Sequence, residues 1–106
     1  FKNFILRNKK SNKKIVGYSA PAKLTTFIHY TKINQNDISV IFDDNELKNN
    51  KYVPNTNIKI LKNYKNYHPD IVIIFAWNLV KELKTKVKKR FKKSEIYITL
   101  PYLKKV

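Results

Sequence analysis

Three short stretches of this 106-residue chain carry residue types that could do ligand chemistry: Gly17-Tyr18-Ser19-Ala20-Pro21-Ala22-Lys23, Asp43-Asp44-Asn45 and Ala76-Trp77-Asn78. The first has the layout of a phosphate-holding turn between a strand and a helix. A glycine closes the strand, a hydroxyl and backbone amides open the helix, and Lys23 stands one turn in. A helix N-terminus offers partial positive charge and unsatisfied N–H groups, so phosphate is a natural guest there. The same residues also read as an ordinary capped helix with an exposed lysine, since a dinucleotide fingerprint needs three glycines and Pro21 removes one amide. Asp43, 26 residues after Gly17, stands where acidic side chains in open parallel sheets accept from ribose hydroxyls. It reads equally as part of a solvated turn. Trp77 offers either a flat surface for a base or sugar or a core side chain, and Asn78 a helix cap.

Other chemistries find less support. Without cysteine the chain has no disulfide, thiolate metal site or cysteine nucleophile. His29 and His68 lack a carboxylate or second histidine at metal-ligand spacing and read as structural. Asp43 and Asp44 are adjacent, so on a strand they point to opposite faces rather than acting as a pair.

Elements that would position the three stretches follow from the apolar pattern. Lys14–Tyr18 is β-prone. A helix runs from Ser19 as N-cap and Pro21 near N1 to about Thr31, with Leu24, Phe27 and Ile28 on its apolar face. Ile38–Phe42 reads as a buried strand, residues 45–57 as a loop, and Ile58–Ile60 as a minimal strand. Leu61–Tyr67 is a turn or short helix. Ile71–Phe75, the most hydrophobic run, is the best central strand. Asn78 opens a second helix to about Lys92, with Leu79, Val80, Leu83, Val87 and Phe91 on one face. Glu95–Leu100 is a last strand, stopped by Pro101. Alternating elements of this kind imply an α/β domain with a mostly parallel sheet of about five strands and helices on its faces. In such sheets ligands bind beyond the carboxyl ends of the strands, where all three stretches fall.

Residues 1–13 read as a linker or a helix arriving from upstream, and residues 14–106 as the domain itself. The chain holds no methionine and opens on Phe1, so the expectation is a piece of a longer protein. Its longest apolar stretch, Ile71–Trp77, is far short of the ~20 residues a spanning helix needs, and no signal peptide is recognisable; a cytoplasmic location is expected.

The formal charge is +16, from 23 basic and 7 acidic residues. That points first to a polyanion partner. Yet only Arg7 and Arg90 are arginine, and Lys, Asn and Ile fill 47 positions, a bias that A/T-rich codon usage produces without any partner. The Lys81–Lys93 segment, with eight basic residues of thirteen, would suit salt-sensitive phosphate contacts in a nucleic-acid-binding module. Its aromatic residues are not interleaved in a stacking pattern and arginine, the preferred base reader, is nearly absent, so a solvated helix face explains it better and nucleic acid is an unlikely partner. Most lysines fall on outer faces, and Lys23 alone is expected to meet a phosphate.

Taken together, Gly17–Lys23, then Phe42-Asp43-Asp44-Asn45-Glu46-Leu47-Lys48, Tyr52-Val53-Pro54, Pro69-Asp70 with Ile74–Asn78, and Leu100-Pro101 resemble the C-terminal domain of sugar C-methyltransferases. The family pattern reads approximately G-Y-G-A-P-A-K-G, V-D-D-N-P-x-K, Y-T-P-G and P-D-x-x-x-x-x-A-W-N, and the ordered match spans about residues 14–106. The resemblance implies a Rossmann-like three-layer domain that helps hold a nucleotide-linked deoxysugar without itself being catalytic. It implies no cofactor in this fragment; S-adenosylmethionine, and zinc in an N-terminal segment, would belong to upstream parts of the same chain. It carries Gly17, Tyr18, Ser19, Ala20, Pro21, Lys23, Asp43, Asp44, Asn45, Trp77 and Asn78 as substrate-binding positions. Ser19 and Leu24 replace two glycines of the first motif, and Asn50 or Lys51, and Asn55, stand where glycine is usual. These departures also admit a structural interaction domain that has lost its ligand.

Overall fold

The apolar runs do what their periodicity requires. In a computed structural model describing residues 1–100 and 102–106, the elements are α1 (Lys2–Lys10), β1 (Ile15–Tyr18), α2 (Leu24–Thr31), β2 (Val40–Phe42), β3 (Lys59–Leu61), β4 (Ile71–Ile74), α3 (Val80–Arg90), β5 (Glu95–Ile98) and β6 (Lys104–Lys105). Short 3-10 turns at Glu46–Lys48 and Trp77–Leu79 follow β2 and β4. The strands form one sheet in the order β3-β2-β1-β4-β5-β6, parallel except for β6. The fold is therefore α/β with a six-stranded, mostly parallel sheet. The sixth strand corrects the expected five; two exposed lysines carry no apolar signature of a strand.

Alternate strand residues feed two cores. Ile15, Ile41, Ile60, Ile71 and Ile73 face α1 and α2, where Phe4, Ile5, Leu24 and Ile28 meet them. Val16, Tyr18, Val40, Phe42, Val72 and Ile74 face α3, packing on Val87 and Phe91. β4 is buried along its whole length, as its unbroken apolar run requires, and each isoleucine so buried contributes about 1.5–3 kcal/mol. Residues 1–13 lie within this arrangement. Asp37, itself buried, accepts from Lys2 at 2.9 Å and Lys9 at 3.0 Å and so pins α1 beside the sheet. Burial alone would raise the Asp37 carboxyl, but these two hydrogen bonds and one from the Asn34 amide hold it below its usual range.

Several boundaries differ from the pattern-based reading. Ser19 does not cap α2, which starts at Leu24 with Lys23 at the cap position and no side-chain cap bond. Asn78 does not cap α3 either; it lies inside the 3-10 turn, and α3 runs from Val80 to Arg90 rather than to Lys92. In both cases a tight turn separates strand from helix, so the polar residue nearest the strand end falls too early to cap. Residues 61–67 contain no helix, and the expected stop at Pro101 lies outside the described residues.

Candidate functional site

Parallel pairing of β2, β1 and β4 brings the three chemistry-bearing stretches to one edge of the sheet, beyond the carboxyl ends of adjacent strands. The chain leaves β1 for β2 on one side and later inserts β4 on the other. Strand order therefore reverses between β1 and β4, and a crevice at such a point is the general ligand position in open α/β sheets.

Gly17 lies inside β1, not at a turn. A Cβ there would stand 2.7 Å from Phe75 Cε2 and 2.8 Å from Ile41 Cγ1, so the chain's one glycine serves packing. The left-handed position is Ser19, with φ 71°. That conformation costs a non-glycine residue roughly 1–2 kcal/mol, and the surroundings hold it. The Ser19 amide donates to the Phe42 carbonyl at 2.6 Å. Both backbone groups of Ala20 are then clamped: its N–H donates to Asp43 Oδ2 at 2.8 Å, and its carbonyl accepts from Lys48 Nζ at 2.7 Å. Asp43 Oδ1 accepts the Asn45 amide at 2.9 Å, and Asn45 Oδ1 accepts the Leu47 amide at 3.0 Å, opening the 3-10 turn that carries Lys48. Asp43 thus has both oxygens engaged with backbone and its side chain only 11% exposed.

Asp44 points the other way, as alternation requires. Its carboxylate accepts from the Tyr18 hydroxyl at 2.9 Å, from Lys86 at 2.8 Å and from Arg90 at 2.6 Å; Arg90 also donates to the Tyr18 hydroxyl and lies 4.7 Å from the centre of the Tyr64 ring. Burial would raise the Asp44 carboxyl, but hydrogen bonds from Lys86, Arg90 and Tyr18 override it and hold it at about 2. Burial, and next the hydrogen bond to Asp44, push the Tyr18 hydroxyl well above its ordinary value. This cluster joins the ends of β1 and β2 to α3.

Between the loops following β1 and β4 lies a cleft of 460 Å³, bounded by Pro21, Ala22 and Lys23 on one side and by Phe75, Ala76, Trp77 and Asn78 on the other. Trp77 is half-buried. It packs against Phe27 at 5.7 Å, and its indole N–H donates to the buried Thr99 hydroxyl at 2.8 Å, which fixes the ring at the crevice wall. Asn78 is exposed. Among the described residues no three His, Cys, Asp or Glu side chains stand together as a metal site.

Residues 1–101 match the family described as the C-methyltransferase C-terminal domain. The chain belongs to that family. No curated protein matches it.

In this C-methyltransferase C-terminal domain, the positions carried by the family pattern fall into three groups. Pro21, Lys23, Trp77 and Asn78 line the crevice. Ser19, Ala20, Asp43 and Asn45 shape the loop that forms its near wall. Gly17, Tyr18 and Asp44 are engaged in the core and the α3-side cluster. Asn50 and Asn55 do take the left-handed conformation, at φ 63° and 61°, so asparagine keeps turns where the family pattern has glycine. Leu24 is a buried helical residue, and nothing there requires glycine.

Lys23 is not the one cation near the strand tips, as the placement of lysines on outer faces led us to expect. Lys48, Lys86 and Arg90 also reach that edge. The family pattern's lysine signals Lys48 alone; Lys86 and Arg90 belong to the Lys81–Lys93 run, whose reading as a solvated face carries no sign of their pairing with Asp44.

Proposed function

We propose that this domain is the substrate-holding part of an S-adenosylmethionine-dependent sugar C-methyltransferase, binding a nucleotide-linked deoxysugar in the crevice between β1 and β4 while upstream parts of the same chain supply methyl donor and catalytic groups. The observation that carries the reading is the crevice itself: a cation, Lys23, and an aromatic face, Trp77, oppose each other at the point where strand order reverses. The strand order β3-β2-β1-β4-β5-β6, with β1 to β5 parallel, supports a Rossmann-like description. The amides of Ala22 and Lys23 make no backbone hydrogen bond among the described residues and lie in the turn that leads into α2, a favourable setting for phosphate. Trp77 gives a hexose ring an apolar surface to stack on. The carboxylates at this edge are committed to backbone and to cations, which suits holding a substrate rather than moving its protons.

Trp77 is the sole tryptophan, so its fluorescence reads the crevice directly. Titration with a deoxythymidine- or uridine-diphosphate deoxysugar is expected to give a saturable change in emission that Lys23→Glu weakens. No change at millimolar ligand, in this chain and in the full-length enzyme, would overturn the reading.

A further inference from the structure

The crevice has two walls of different make. One is the loop of residues 19–23, a ridge clamped through both backbone groups of Ala20. The other is the Trp77 ring, whose place is set from two directions: its N–H donates to the Thr99 hydroxyl at 2.8 Å, and its ring meets Phe27 at 5.7 Å. Both neighbours lead back to α1. We propose that α1 is a positioning element of the crevice, anchored by Asp37 and acting on Trp77 through Phe27 and through β5; for its ligand this rests on the sugar-nucleotide reading above.

The route through Phe27 is a run of aromatic contacts. Phe1, at the start of α1, meets Phe27 edge-on at 5.3 Å, and Phe27 also packs at 5.8 Å on Phe75, itself part of the crevice lining. The route through β5 begins one turn further along α1. There Phe4 meets Tyr97 at 4.6 Å, and Thr99 lies two residues on from Tyr97, on the same face of the extended chain. Aromatic pairs prefer edge-on and offset arrangements, so displacing one ring changes the best placement of the next. A close-packed interior passes such displacements on because it holds few voids to absorb them.

Local sequence does little to hold α1 itself. The helix has nine residues, no side-chain cap and no acidic residue in its first turn. Isolated helices shorter than about 12–15 residues are marginal in water, so tertiary contacts must keep it. Phe4 and Ile5 supply the apolar part and Asp37 the polar part. Lys2 and Lys9, two turns apart on one stripe, both end on the Asp37 carboxylate, whose side chain is 4% exposed and which also accepts the Asn34 amide at 3.0 Å. Lys2 donates besides to the Lys32 carbonyl at 3.1 Å, where α2 ends, so the two helices that carry Phe1 and Phe27 are tied together. Asp37 precedes β2 and lines a cleft at the opposite edge of the sheet from the crevice. A carboxylate remote from the ligand thereby governs one of its walls.

Acrylamide quenching of the sole tryptophan reads the ring without ligand, and titration with a deoxythymidine-diphosphate deoxysugar then reads its use. Asp37→Asn is expected to raise quenching of Trp77 about twofold and to weaken the ligand about fivefold. Phe1→Leu should act in the same direction and less strongly, and it carries the same test should Asp37→Asn fail to fold. Because both changes lie on one path, the double variant should be no worse than Asp37→Asn alone. Val87→Ala, a cavity in the core on the α3 side of the sheet, separates positioning from stability: it should lower the thermal midpoint and leave quenching and affinity at their original values. Unchanged quenching in both α1-directed variants, raised quenching with unchanged affinity, or equal changes in Val87→Ala would each overturn the proposal. Raised quenching in those two variants with no ligand bound by any of the proteins would instead overturn the sugar-nucleotide reading and leave the anchoring of Trp77 by α1 standing.

Discussion

The two edges of the sheet present opposite lessons about where function resides. At the edge beyond the carboxyl ends of β1, β2 and β4, carboxylates are spent on shaping backbone: Asp43 holds Ala20 and Asn45, and Asn45 opens the next turn. The opposite edge has clefts of 540 Å³, larger than the crevice, and a dense collar of cations from Lys9, Lys13 and Lys14 on one side of His68 to Lys89, Lys92 and Lys93 on the other. Yet its lysines gather where α1 and α3 end, where cations complement the helix dipole. Volume and charge mark that edge; a clamped loop at a reversal of strand order marks the first. On the proposed reading, the part of the +16 that would meet ligand is a few lysines beside the ridge.

The sharpest way to break this contrast is to disturb packing beneath the clamped edge. Gly17→Ala puts a methyl group within 3 Å of Phe75 and Ile41, and overpacking of that kind costs about 1–3 kcal/mol. Thermal denaturation should show the midpoint falling by about 4–8 °C for each kcal/mol lost. Next in size, Asp43→Ala leaves the Ala20 and Asn45 amides without their acceptor, at about 1–3 kcal/mol by chemical denaturation, and should also weaken nucleotide-sugar binding. Ser19→Gly acts in the other direction, relieving the left-handed serine by about 0.5–1 kcal/mol and leaving the ridge in place. If restored glycine instead raises activity of the full-length enzyme markedly, the serine has retuned the site rather than merely strained it.

A smaller effect appears in acid. The Asp44 carboxyl lies at about 2 in the folded protein against 3.8 for the free side chain, so the unfolded chain takes up the proton first as pH falls. The stabilisation Asp44 provides is complete above about pH 4 and is lost as pH falls toward 2. Because Asp44 is over a third exposed, solvent screens its ion pairs and the loss is modest. Asp44→Asn should flatten that part of the pH–stability curve. Smallest of all, Lys92→Glu with Lys93→Glu at the opposite edge should change stability by less than about 0.5 kcal/mol and leave nucleotide-sugar binding untouched. A loss of binding in that variant would erase the distinction between the edges.

Much of this architecture is legible in the residue pattern. The run Ile71–Phe75 announces a central strand, and β4 pairs on both sides and is buried throughout. Adjacent Asp43 and Asp44 must diverge if β2 keeps its alternation, and they do, one toward the ridge and one toward α3. The convergence of the three stretches follows from parallel pairing alone. Other features are long-range and leave no local trace. Arg90 meets Asp44 across 46 residues, and Lys48 meets Ala20 across 28, so neither pairing has a spacing that could announce it. Helix starts were misplaced because the backbone makes a tight turn between strand and helix, which residue preference near the strand end does not encode. β6 was missed because a two-residue edge strand of lysines is held by its neighbour and not by its own hydrophobicity.

The central claim is that ligand binds at the clamped edge and that the cationic collar is background. Photocrosslinking with a diazirine-bearing deoxythymidine-diphosphate sugar, followed by peptide mapping, tests it directly. Labels are expected on residues 19–25 and 75–79, and single-stranded oligonucleotide should not compete with them. Labels confined to residues 9–14, 65–70 and 89–94, and lost to oligonucleotide, would contradict the account.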